Sequence, residues 1–137
     1  METKFNFKSQ MCTTVAQSER LLALGLKKDT ADMGSVRDLV QITSNGKREV
    51  IFTFTPDNWE ANPNSIPRWS LHRLLSLLPT EIPCEVENGL GMFLDDENAV
   101  SYFGVLGYYT HDNLYDAVIL CIEDVIKEGY FNKEYLV

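Results

Sequence analysis

Between Arg73 and Lys127 the chain has no lysine or arginine, while ten aspartates and glutamates fall in the same stretch. A surface of that sign repels phosphate backbones, so no direct nucleic-acid partner is expected. Cysteine is scarce: Cys12, Cys84 and Cys121 are an odd number, spaced 72 and 37 residues apart. That spacing builds no disulfide framework, paired-cysteine zinc site or redox motif, and the three read as free thiols. No apolar run reaches the length of a membrane helix, and the opening METKFNFKSQMC lacks the basic-then-apolar order of a secretory signal. The expected setting is the cytoplasm, with no membrane partner. Glycines are few, and Gly89, Gly91, Gly104 and Gly107 make neither a dinucleotide fingerprint nor a phosphate loop, so no cofactor is expected.

What is present is an ordinary apolar content, 45% over 137 residues, with 20 acidic residues against 12 basic ones and a net charge of −8. A chain of this length buries roughly 70% of the surface it exposes when unfolded and needs no metal or disulfide to fold. The charge is unevenly divided. Residues 1–70 hold nine basic and eight acidic residues, residues 71–137 three and twelve.

Thr14 followed by Gln17 has the spacing of a capping box, and VAQSERLLALGL places Val15, Leu21, Leu22 and Leu26 on an apolar side. With Gly25 to end it, this predicts a helix over 14–25. DLVQIT and REVIFTFT flank Ser44-Asn45-Gly46-Lys47, and an Asn-Gly centre predicts a tight hairpin. A two-residue loop would pair Leu39 with Phe52 and Val40 with Ile51, with Val50, Phe52 and Phe54 facing the core. PDNWEANPNSIPR reads as a loop. Trp69, Ser70 and Leu74 have the spacing of a hydrophobic staple around a cap, and Leu71, Leu74, Leu75 and Leu78 repeat helically before Pro79.

Strand-like runs follow at 81–86, 90–95 and 99–109, the last two joined by a turn at Asp95-Asp96-Glu97-Asn98. A last helix, capped by Asn113 or Asp112, carries a stripe of Leu114, Val118, Cys121 and Val125, widened by Ile119, Ile122 and Ile126. Gly129 ends it, with Tyr130 or Phe131 placed to fold back. The order α-β-β-α-β-β-β-α predicts an α+β fold in a single domain over 1–137. Its core would be a mostly antiparallel sheet of four or five strands with three helices on one face. Residues 1–12 read either as a flexible lead or as an edge strand.

Four marks occur together: TTVAQSERLLALGL, Thr30-Ala31-Asp32-Met33, Ile66-Pro67-Arg68-Trp69-Ser70-Leu71 running into LLSLLP, and Asn113-Leu114-Tyr115-Asp116-Ala117-Val118. In that order the chain resembles a group of small uncharacterised proteins of gut Bacteroidales, their phages and their integrated elements. The resemblance implies a cytoplasmic accessory protein carried on mobile DNA and assigns no catalytic residue.

For chemistry, His111 beside Asp112 is the foremost pairing, because a carboxylate can orient an imidazole, although Asp112 also competes for the helix cap. His72 falls one position off the leucine stripe and reads as a surface residue. Cys12 is the most exposed thiol candidate, Cys84 follows a proline in a strand-like run, and Cys121 lies within a buried stripe. The Asp95-Asp96-Glu97 turn offers oxygen donors without the loop of an EF-hand, so no metal site is assigned. Trp59, in the proline-rich loop, would serve as an interface anchor if exposed.

No catalytic constellation emerges, and the expected function is that of a non-enzymatic accessory or interaction protein. Its acidic half, with Asp95, Asp96, Glu97, Glu123, Asp124 and the aromatic Trp59 as contact candidates, would meet a protein partner with a basic surface. The alternative is a small hydrolase or metal-dependent enzyme using His111 with Asp112, or the Asp95-Asp96-Glu97 turn. Self-association through an uncovered sheet face is compatible with the first reading.

Overall fold

The computed structural model describes residues 10–53, 64–83, 87–94, 98–102 and 108–137. Helix α1 (Val15–Ala23) starts at a complete capping box: Thr14 Oγ1 accepts from the Gln17 N–H at 3.1 Å, and Gln17 Oε1 accepts from the Thr14 N–H at 3.0 Å. It ends at Gly25, whose φ of 101° lets Gly25 and Leu26 donate to the Leu22 and Leu21 carbonyls at 3.0 and 3.2 Å. Thr14→Ala is expected to cost about 1 kcal/mol and Thr14→Ser far less, read from urea unfolding midpoints. Equal losses in the two variants would show that the hydroxyl is not what holds this helix start.

Three strands form the first sheet: β1 (Met33–Thr43), β2 (Gly46–Thr53) and β3 (Ser65–Arg68), antiparallel in the order β2-β1-β3. The third of these lies where the sequence predicts only loop. Pro67 brings no N–H to a ladder, which β3 tolerates because it is an edge strand pairing with β1 alone. Helix α2 (Leu71–Leu77) follows, with Ser70 Oγ accepting from the Arg73 N–H at 3.1 Å. The Asp32 carboxylate in turn accepts from the Ser70 N–H and hydroxyl at 2.8 and 2.5 Å. Trp69 and Leu74, the two residues of the staple, are fully buried.

The second sheet is β4 (Leu90–Leu94), β5 (Asn98–Tyr102) and β6 (Tyr108–His111), again antiparallel in chain order. Helix α3 (Leu114–Lys127) packs against β5 and β6 and also meets α1 and α2. Asn113 rather than Asp112 is its cap, accepting from the Asp116 N–H at 3.3 Å. Of its expected stripe Val118, Ile119, Cys121, Ile122 and Val125 are fully buried, and Leu114 and Ile126 at its two ends are half-buried. Phe131, not Tyr130, folds back, buried and edge-on to Tyr135 with ring centroids 6.0 Å apart.

The fold is therefore α+β, but with two three-stranded sheets in place of one sheet of four or five, and with β3 added to the element order. The separation has a local cause. The base of β1 is already paired on both edges, by β2 and β3, while β4, β5 and β6 close on one another through neighbouring pairings. The run expected as a strand at 81–86 is not one at 81–83, and 84–86 lie outside the described residues. There the Asn88 side chain stands in for a ladder partner, accepting from the Ile82 N–H at 2.8 Å and donating to its carbonyl at 2.9 Å. The run expected at 99–109 is split between β5 and β6, with 103–107 outside the described residues.

Leu21 of α1, Trp69, Leu74 of α2, Val100 and Tyr102 of β5 and the stripe of α3 form one continuous apolar cluster. Its aromatic residues keep their polar ends satisfied: the Trp69 indole donates to Thr30 Oγ1 at 3.0 Å and the Tyr102 hydroxyl to the Pro79 carbonyl at 2.5 Å. Among the described residues no helix is long and apolar enough to cross a membrane.

Candidate binding surface

Beyond Ser35 the hairpin leaves the core. From Arg37 to Glu49 every residue except Thr43 is exposed. The ladder shows why the expected register is not the one found. Thr43 pairs with Gly46 and Val40 with Glu49, but Ser35 pairs with Ile51 and Gly34 with Phe52. Thr43 opposite Gly46 puts the loop at Ser44-Asn45 instead of Asn45-Gly46, which already gives Val40 Glu49 in place of Ile51; Val36 to Leu39 then stand opposite Val50 alone, a large bulge that takes Leu39 out of the ladder. Phe52 still packs on the core, Val50 is half-buried, and Phe54 lies outside the described residues.

The bulge has two determinants. Asp38 takes φ 65°, a left-handed backbone that aspartate tolerates better than most residues, and the Arg37 N–H donates to the Asn64 carbonyl at 2.9 Å. Beside the bulge lies a cavity of about 350 Å³, lined by Val15, Ser35, Asp38, Leu39, Glu49 and Ile66 among others. On the arm beyond it three aliphatic side chains face water: Leu39 is 47% exposed, Val40 46% and Ile42 79%. Ile42 stands directly opposite Lys47, and Gln41 opposite Arg48, so one face of the tip joins an apolar side chain to a cation and the other face carries the second cation.

Arg68 anchors the arm at its base. Its guanidinium is 4% exposed and donates to the Thr13 carbonyl at 2.6 Å, to Ser35 Oγ at 2.9 Å and to the Glu49 carboxylate, joining the segment before α1 to both strands. Cys12 lies in the same region and is buried, contrary to the expectation of an exposed thiol. Its exposure is lost because Thr13 and Trp69 exchange backbone and hydroxyl bonds that press this segment onto the core. Burial pushes the Cys12 thiol up, with the nearby Arg68 charge acting in the opposite sense.

The other sequence candidates are dispersed. Asp95, Asp96, Glu97, Trp59 and Cys84 lie outside the described residues. Glu123 accepts from Arg20 Nη2 at 2.7 Å, and Asp124 accepts from the Tyr109 hydroxyl. Both line a shallow pocket of about 250 Å³ with Tyr109, Leu120 and Lys127. His111 and Asp112 are both exposed, but His111 Nδ1 accepts from the Asn113 N–H at 3.0 Å and the nearer carboxylate is Asp116 at 3.7 Å. His72 is exposed on α2. Cys121 is buried, and its thiol is pushed up to about 12 by that burial. Among the described residues no three His, Cys, Asp or Glu side chains gather closely enough to hold a metal ion. The exposed aliphatic residues Leu39, Val40 and Ile42 are absent from the sequence candidates, because a strand rich in branched side chains reads as core.

No family model matches the chain, and neither the curated proteins nor the solved structures compared with it give a match.

Proposed function

We propose that this chain is a non-enzymatic interaction protein whose main contact element is the exposed β1–β2 arm. The observation that carries this reading is Val40 and Ile42 on one face of the arm with Leu39 beside them, held out in water on a hairpin pinned at its base by the buried Arg68 and its ion pair with the half-exposed Glu49. Aliphatic side chains gathered on a protruding element mark contact sites, because their burial against a partner removes apolar area from water. A fixed base lowers the ordering cost of docking. Arg37, Lys47 and Arg48 against Asp38 give the arm an outward positive balance, with Glu49 neutralised by Arg68, so its partner carries an acidic surface. The acidic C-terminal half is the second contact surface of the same reading and meets a protein with a basic one, Glu123 and Asp124 being its contact candidates among the described residues.

A photo-cross-linking amino acid at position 42 tests the reading in lysate of the native host. A discrete protein adduct is expected from position 42 and not from position 72, exposed on α2. No adduct, or the same adducts from both positions, would sink it.

A further inference from the structure

We propose that the partner of the arm is a second copy of this chain, with the arm tip of one molecule seated in the α3 pocket of the next. The inference rests on the interaction reading above and names its partner. The tip presents Ile42, 79% exposed, with Lys47 beside it across the strand on the same face and Arg48 on the opposite face, its charge adding to the field of the arm. The pocket is lined by the apolar Leu120, the aromatic Tyr109, the carboxylates Glu123 and Asp124 and the ammonium Lys127. Size agrees as well as chemistry, because a pocket of about 250 Å³ admits one aliphatic side chain with room for its neighbours.

Charge favours this orientation over arm-to-arm contact. From Asp112 to Glu128 the cap and helix α3 carry five acidic residues and one lysine, and stay acidic with Arg20 paired to Glu123, whereas the arm is positive, so two arms repel and an arm and a helix attract. Arg20 and Tyr109 hold Glu123 and Asp124 in place without exhausting them, since a carboxylate accepts more bonds than the single one each is given. Every molecule carries both halves of the contact. Association is therefore head-to-tail, and it closes into a ring or runs on as a chain according to the rotation between copies.

The test is light scattering of the purified full chain over about two decades of protein concentration. One tip in one pocket buries less than the ~800 Å² per partner of a standard interface, so the contact is weak and high concentration is needed. The weight-average mass should climb to at least about twice that of the monomer. It should fall back in about 1 M salt, where charges are screened beyond ~3 Å. Lys47→Glu with Arg48→Glu, Glu123→Lys with Asp124→Lys, and Ile42→Asp should each give a monomer with an unchanged circular dichroism spectrum.

Mixing the two charge-reversed proteins should restore association, because each then meets an opposite charge at both contacts; a misfolded variant could not be rescued this way. A wild-type chain that stays monomeric, or a mixture that fails to associate, overturns the inference. The cross-link at position 42 keeps the two readings apart: a monomeric chain that still forms a discrete adduct with another protein loses the second copy as partner but retains the arm as contact element.

Discussion

Replacing Arg68 with alanine should lower the unfolding free energy by about 2–6 kcal/mol, from two buried acceptors that lose their donor at about 1–3 kcal/mol each. The guanidinium is 4% exposed, and its bonds to the Thr13 carbonyl at 2.6 Å and the Ser35 hydroxyl at 2.9 Å would leave two buried acceptors without a donor. Glu49 is different, since its side chain is 44% exposed and water can replace the lost partner. Glu49→Gln keeps an acceptor for Arg68 but weakens the bond, and is expected to cost about 0.5–1 kcal/mol, since the carboxylate is half in water. Arg68→Lys should recover only part of the loss, because an ammonium cannot direct donors to three segments in the plane of one group. Urea unfolding followed by tryptophan fluorescence reads all three. Losses under about 0.5 kcal/mol in Arg68→Ala would mean the guanidinium is solvated and the arm is not pinned at its base. The same variants connect stability to contact: a chain that remains folded as Arg68→Lys but has a loosened arm should lose cross-linking at position 42 before it loses its core.

What the sequence disclosed was decided within a few residues. Thr14 with Gln17, Ser70 between Trp69 and Leu74, and Asn113 ahead of the apolar stripe each satisfy helix ends locally, and all three caps are in place. The strand Ser65–Arg68 was hidden because nothing in four residues containing a proline forces extension. It forms because the base of β1, about thirty residues earlier, offers an unpaired edge. The hairpin reversal was legible at Ser44-Asn45-Gly46, but its register was not. The extra residues at Val36 to Leu39 depend on the backbone of Asp38 and on a bond from Arg37 to Asn64, neither of which leaves a periodic trace. Glu123 and Asp124 could be recognised as lying off the buried stripe of α3. That Arg20 and Tyr109 reach them could not, because those contacts close loops of 103 and 15 residues. For the same reason Cys12 read as exposed: its burial comes from Thr13 meeting Trp69, 56 residues away.

Above pH 9 the protein should lose stability steeply, through groups that the fold holds protonated. Burial pushes the Cys121 thiol up to about 12 and raises the Tyr102 phenol, and the same cause raises Cys12 and Tyr115. In the unfolded chain thiols release their protons near pH 8.5 and phenols near pH 10. Over this window the native state therefore binds more protons than the unfolded one, and stability falls as pH rises. Each such group contributes a slope of about 1.4 kcal/mol per pH unit, so Cys121 alone removes on the order of 4 kcal/mol between pH 9 and 12. The tyrosines steepen the fall once pH 10 is passed. Urea unfolding at intervals from pH 7 to pH 12 reads the slope, and Cys121→Val isolates the thiol, since valine fits an apolar site and has no proton to lose. Between pH 9 and 10 the variant should show a slope shallower by about one proton's worth, whatever its stability at pH 7. An unchanged slope, together with thiolate absorbance from the native protein growing in near pH 8.5, would place Cys121 in contact with water and remove it from the core that α3 is argued to close.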